Sequence, residues 1–113
     1  MAGERTRHVQ VRGLHVIDDD KYRRYREGMT PILARHGGSF GYDFVVSQVL
    51  ISQTERPINR VFTIRFPDRD RAAEFFSDPA YLAVRRTWFE PAVAAITQIA
   101  TYDEPATDER GPG

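Results

Sequence analysis

The stretch Asn59-Arg60-Val61-Phe62-Thr63-Ile64-Arg65-Phe66-Pro67-Asp68 alternates strictly. Phe62, Ile64 and Phe66 project to one side; Val61, Thr63 and Arg65 project to the other. Period two marks a half-buried strand. Pro67 cannot donate to a ladder and ends it, and Asp68 is placed to cap a following helix. The first side is wholly apolar and large, so it belongs under helices. The second is too mixed for a core and too apolar for open solvent, so a second subunit is its expected cover. The stretch reads as the middle of a small antiparallel sheet.

Before it, Val9, Val11, Leu14 and Val16 predict a first strand, with a bulge near Gly13 keeping all four on one face. Asp18-Asp19-Asp20 opens a helix, since carboxylates suit the positive helix end. Tyr22, Tyr25, Met29, Ile32, Leu33 and His36 form its apolar stripe. Gly28 and Pro31 predict a kink, and Gly37-Gly38 a stop. Tyr42–Ser52 is read as a second strand, apolar on both faces and so covered on both.

After the central strand, Arg69–Ser77 is a short helix. Asp78-Pro79 restarts it, with aspartate as cap and proline in the first turn. Tyr81, Leu82, Arg85, Trp88 and Phe89 make the next stripe. Val93–Tyr102 is the last strand, with Ile96, Gln98 and Ala100 opposed to Thr97 and Ile99. The order β-α-β-β-α-β makes an α+β protein of ferredoxin-like arrangement, a four-stranded antiparallel sheet with helices on one face. Residues 7–102 form the single domain, 1–6 a flexible start and 103–113 a disordered tail.

The 113 residues carry 16 basic and 16 acidic side chains. Zero net charge argues against nucleic acid as a partner. The chain has no cysteine, hence no disulfide, thiolate nucleophile or cysteine metal site. The start lacks the apolar core of a secretory leader, and no apolar run approaches the ~18 residues of a membrane span. A cytoplasmic protein is expected. No phosphate loop, nucleophile elbow, zinc-protease motif or dinucleotide fingerprint is present, so no cofactor and no metal are expected.

An ordered set of pieces resembles the bacterial family numbered 1330 among domains of unknown function. The pieces are Lys21-Tyr22-Arg23-Arg24-Tyr25, Pro31, Gly37-Gly38-Ser39-Phe40, Arg60 before its apolar strand, Phe66-Pro67-Asp68, and Phe75-Phe76-Ser77-Asp78-Pro79-Ala80-Tyr81. The resemblance implies the dimeric α/β-barrel superfamily, in which two protomers pack sheet against sheet. That superfamily includes monooxygenases, isomerases, dehydratases and haem enzymes, so it implies no single chemistry. Asp43 stands where relatives usually have arginine, Ile51-Ser52 where they have Glu-Gly, and Trp88 where they have arginine. These departures imply a pocket of altered polarity.

Candidate site residues follow from chemistry. Arg60 offers a planar fork of donors to a carboxylate or enolate oxygen, or an ion pair to Asp43 or Glu55. Asp43 ends an apolar stretch, where burial would raise its pKa toward that of a general base; otherwise it is a turn residue. His15 is a further acid/base candidate. Tyr22, Tyr25 and Tyr81 offer hydroxyls to a ligand, or are core rings with wet tips. His36 could touch a ligand, and Arg85, Arg86 and Trp88 could line an anionic, aromatic pocket or form an Arg–Trp stack.

Two principal readings result. In one, a homodimer binds a small organic molecule in an apolar pocket of each protomer. It acts on that molecule by cofactor-independent acid/base chemistry of isomerase, lyase or monooxygenase type, with Asp43 or a histidine moving the proton and Arg60 steadying the oxyanion. In the other, the same dimer only binds. Haem ligation by His36 or His15 is a third reading.

Overall fold

The computed structural model describes residues 5–106. In chain order it contains β1 (Thr6–Val16), α1 (Asp19–Arg35), β2 (Ser39–Val45), β3 (Arg60–Phe66), α2 (Arg69–Ser77), α3 (Pro79–Val84), a π-helical turn (Arg85–Phe89) and β4 (Val93–Pro105). The strands lie in the order β2-β3-β1-β4, every neighbouring pair antiparallel. β3 is thus an inner strand, as its alternation requires. Phe62, Ile64 and Phe66 are buried under the helices, while Val61, Thr63 and Arg65 are half-buried on the opposite, outer face.

Local chemistry sets the helix ends. Asp18, Asp68 and Asp78 each accept from a backbone N–H two or three residues on, at 3.0, 2.8 and 2.8 Å. Each such cap contributes roughly 1 kcal/mol. At the end of α1, Gly37 N–H donates to Ala34 and Gly38 N–H to Leu33. This double closure needs a left-handed residue, and Gly37 supplies φ 77°. α1 runs on through Gly28 and Pro31 as one helix. Gly28 serves packing there, since a β-carbon at that position would sit 3.0 Å from Val84 of α3.

Three expectations need correction. The first concerns β1, which pairs with β3 from His8↔Phe66 to Leu14↔Arg60 with no break at Gly13. Unbroken alternation puts Leu14 and Val16 on the helix side together with Gln10 and Arg12, and sends Val9 and Val11 to the outer face. The irregularities fall in β4, where Ile99 and Ala94 are the extra residues. An edge strand accommodates a bulge more easily than an inner one. The bulge at Ile99 also turns Ala100 to the outer face, away from Gln98.

The second correction is β2, which spans Ser39–Val45 and not Tyr42–Ser52. Its ladder with β3 closes at Val46 N–H donating to the Asn59 carbonyl. Beyond that point residues 47–58 have no strand of the same chain to pair with, and Val45, Leu50 and Ile51 are 80%, 83% and 91% exposed. The apolar sequence is therefore uncovered within one protomer. The third is the tail. β4 continues to Pro105 because Asp103, Glu104 and Pro105 pair with His8, Arg7 and Thr6. Of the segments expected to be flexible, residues 1–4 and 107–113 lie outside the described part.

Asn59 fixes the return to β3. Its side-chain amide donates to the Val16 carbonyl (2.9 Å) and accepts the Val16 N–H (2.8 Å), mimicking one more strand residue. Among the described residues no helix is long and apolar enough to cross a membrane.

Candidate functional site

Between the sheet and the helices lies a mostly apolar cavity. Arg12 and Leu14 of β1 with Phe62 and Ile64 of β3 form its floor. Tyr22, Tyr25 and Met29 of α1, Phe76, Tyr81 and Phe89 form its roof, and Phe40 closes the β2 side. The free space is about 10 Å³, room for roughly one water molecule.

Its polar groups converge at one end. The Tyr25 and Tyr81 hydroxyls bond each other at 2.9 Å, buried. Burial first, then the Tyr81 hydroxyl, pushes Tyr25 well above the ordinary phenol range. Arg12 reaches the same region, its guanidinium 4.6 Å over the Phe76 ring. Burial lowers the Arg12 pKa, and the charge of Arg85 adds to that effect against the pull of the two tyrosines. Arg12 donates from Nε (3.1 Å) and Nη2 (2.5 Å) to Gln10 Oε1. The Gln10 amide lies 3.1 Å from His8 Nε2, and His8 Nδ1 lies 3.3 Å from Asp103 Oδ1. A polar column thus runs along the helix side of β1.

The rim on the β2 side carries a second cluster. Arg60 grips Asp43 with both ends of its fork, at 2.9 and 3.1 Å. Arg26 reaches Asp43 at 2.9 Å and the Tyr22 hydroxyl at 2.9 Å, its guanidinium 3.8 Å over Phe40. Burial raises the Asp43 pKa, but the Arg60 bonds and the charges of Arg26 and Arg60 outweigh it, leaving the carboxyl below its ordinary value. The expected upward shift is thereby corrected: a carboxylate so held is ionised and occupied at neutral pH. Its folded pKa lies below the unfolded one, so its contribution is present above about pH 4 and is lost as pH falls through the folded value. Melting temperature should fall with acid in this window, and Asp43→Asn should flatten that part of the curve. An unchanged acid limb would remove Asp43 from this role.

The remaining candidates scatter. Tyr22, Tyr25 and Tyr81 line the cavity. Arg85 stacks on Phe89 at 4.9 Å beside it, while Trp88 lies under Arg24 at 5.3 Å and is not among the lining residues. Arg86 is exposed. His36 is engaged at the end of α1 by Asp78 at 2.8 Å, and its ring meets Phe75 edge-on. His15 pairs with Ala95 on the outer face, on the other side of the sheet from the cavity. Neither histidine is placed to ligate a group in the cavity. Among the described residues no three His, Asp or Glu side chains cluster as a metal would need. Arg12, Gln10 and His8 were missed in the sequence. The available signal was their even spacing with Leu14 and Val16 along an unbroken strand.

The model for a domain of unknown function, DUF1330, matches residues 10–102. The chain belongs to the DUF1330 family. No curated protein matches it. Among solved structures, this DUF1330 protein is similar to a protein of unknown function from Rhodopseudomonas palustris, with TM-score 0.68 and 17% identity over 94% of this chain and 85% of that one. A dabb family protein with a ferredoxin-like fold from Mesorhizobium loti gives 0.51 and 17% over 94% and 100%. SnoaB, a cofactor-independent oxygenase from Streptomyces nogalater, gives 0.51 and 12% over 96% and 99%. At these identities the likeness is one of fold, and the fold is ferredoxin-like.

Proposed function

We propose that this DUF1330 protein is a homodimer, joined sheet to sheet, that binds a small organic molecule in the cavity of each protomer. The observation that carries the binding is the cavity itself. Apolar side chains surround it and a few polar groups converge at one end, the lining pattern of a ligand pocket, and its present room for about one water widens only when a wall moves. The outer face supports the dimer. Val11, Val61, Ala100 and Phe44 share it with Thr63 and Arg65, and the exposed Tyr42 and Phe44 rings stack there at 5.7 Å. Exposed and half-buried apolar side chains gathered on one sheet face mark an interaction surface.

Binding followed by acid/base chemistry without a cofactor is the catalytic form of this reading. The cofactor-independent oxygenase SnoaB has a similar fold, and Arg12 is suited to steady an oxyanion as it forms. The purely binding form has its own support: Asp43 is occupied by two arginines, and burial pushes Tyr22 and Tyr25 upward, away from neutral titration. Proton NMR mapping with a panel of small aromatic and aliphatic compounds tests the binding. Backbone amides of Leu14, Phe62 and Ile64 are expected to move. A panel that shifts none of them would sink the reading. Exchange of carbon-bound hydrogen for solvent deuterium in any bound compound separates catalysis from binding.

A further inference from the structure

The cavity contains positive charge that nothing in the described chain neutralises. Arg12 has donors only, so Gln10 must turn Oε1 toward it. The Gln10 amide nitrogen then faces His8 Nε2 and donates to it. His8 Nε2 is therefore unprotonated, and Nδ1 carries the hydrogen toward Asp103. The donors of Gln10 and His8 point away from the cavity, toward Asp103. Arg12 is anchored from behind, and its Nη1 hydrogens are not claimed by Gln10. No described carboxylate bonds to it, and the charge of Arg85 acts on it with the same sign. Beside it, two tyrosine hydroxyls share one mutual hydrogen bond, which leaves one O–H hydrogen to spare. Arg12 is half-buried, and drawing an arginine partly out of water away from a counter-ion is unfavourable unless something pairs with it.

We infer that this is an oxyanion site: the cavity takes a small, flat organic monoanion, with a carboxylate or enolate oxygen on Arg12 and an apolar body against Phe62, Ile64 and Phe76. The inference rests on the small-molecule reading above and adds the ligand's charge and shape. The cavity has free space for about one water, so a larger ligand must displace a wall. Phe76 is the wall beside Arg12 and is only half-buried. Moving its ring away strips Arg12 of its aromatic partner at 4.6 Å. An anion replaces that contact with a charge-assisted one; a neutral molecule does not. Selectivity for anions is thus tied to the opening of the cavity.

The test uses the full chain at pH 7 with benzoate and its neutral counterpart benzamide, read by calorimetry and by NMR of the Arg12, Leu14 and Ile64 amides. Benzoate is expected to bind and benzamide to bind at least about tenfold more weakly, one step of 1.4 kcal/mol. Arg12→Gln is expected to weaken benzoate by at least about the same factor and so close the gap, and Arg12→Lys, which keeps the charge, to retain part of it. Equal affinity for the two compounds overturns the oxyanion site and leaves the small-molecule reading standing, as does an Arg12→Gln protein that keeps full benzoate affinity. If neither compound moves the cavity amides, both fall. Should Arg12→Gln fail to fold, the wild-type pair and Arg12→Lys still decide.

Discussion

Phe75→Ala is expected to destabilise the fold by about 3–5 kcal/mol, the range for emptying a large aromatic site in a close-packed core. Phe75 is 0% exposed. Its ring lies 4.3 Å from Tyr81, 5.0 Å from Phe76 and 5.7 Å from Phe66, so it joins α2, α3 and β3 in one cluster. A domain of this size has roughly 5–15 kcal/mol in hand, so the variant should melt at least about 10 °C lower. Phe76→Ala is the control. Its ring is half-buried at the cavity wall, so it should lose less stability and enlarge the cavity. Denaturant titration of both proteins checks this. Equal losses would mean that Phe76 is core and not wall.

Val61→Glu is expected to convert the proposed dimer into a folded monomer. Val61 lies on the outer face in register with Gly13 and Phe44. It is half-buried within one protomer, where a glutamate could reach water. In a twofold interface the change counts twice, with two unpaired carboxylates brought together. Desolvating each costs several kcal/mol, which is enough to abolish a micromolar dimer. Sedimentation velocity and circular dichroism together give the result. A wild-type protein that sediments as a single protomer, or a variant that remains dimeric, rejects the sheet-to-sheet assembly.

Much of the fold was legible because its signals are local. Asp18, Asp68 and Asp78 cap helices through contacts two or three residues away, and Gly37-Gly38 closes α1 through carbonyls three and five back. The family resemblance rested on such pieces. The candidate site was legible only in part. Tyr22, Tyr25 and Tyr81 were found, since their helical spacing faces them inward together. Arg60 makes the ion pair to Asp43 that was one of its two readings, whereas the expected rise in the Asp43 pKa is reversed. The pKa of Asp43 depends on Arg26, which lies 17 residues away on α1, and an aspartate with two arginines differs from an aspartate with none. His15 and His36 are correctly assigned to their elements and face elsewhere.

Alternation along the chain says which residues share a side, and β3 shows how far that reaches: seven residues by themselves determined an inner strand with one dry face. Which side of β1 meets the helices was another matter. Val9 and Val11 look like core, and Gln10 and Arg12 look like surface. The ladder with β3 exchanges their faces, although Val9 stays buried on the outer one, because an inner strand keeps its register with its neighbours and leaves bulges to the edge at Ile99 and Ala94. The extent of β2 was decided the same way, by where β3 stops offering partners. Cap and turn energies act over a few residues and can be read from them. The environment of Arg12 is set by β3, α2 and α3, each more than 45 residues away in sequence, and exists only once the layers close.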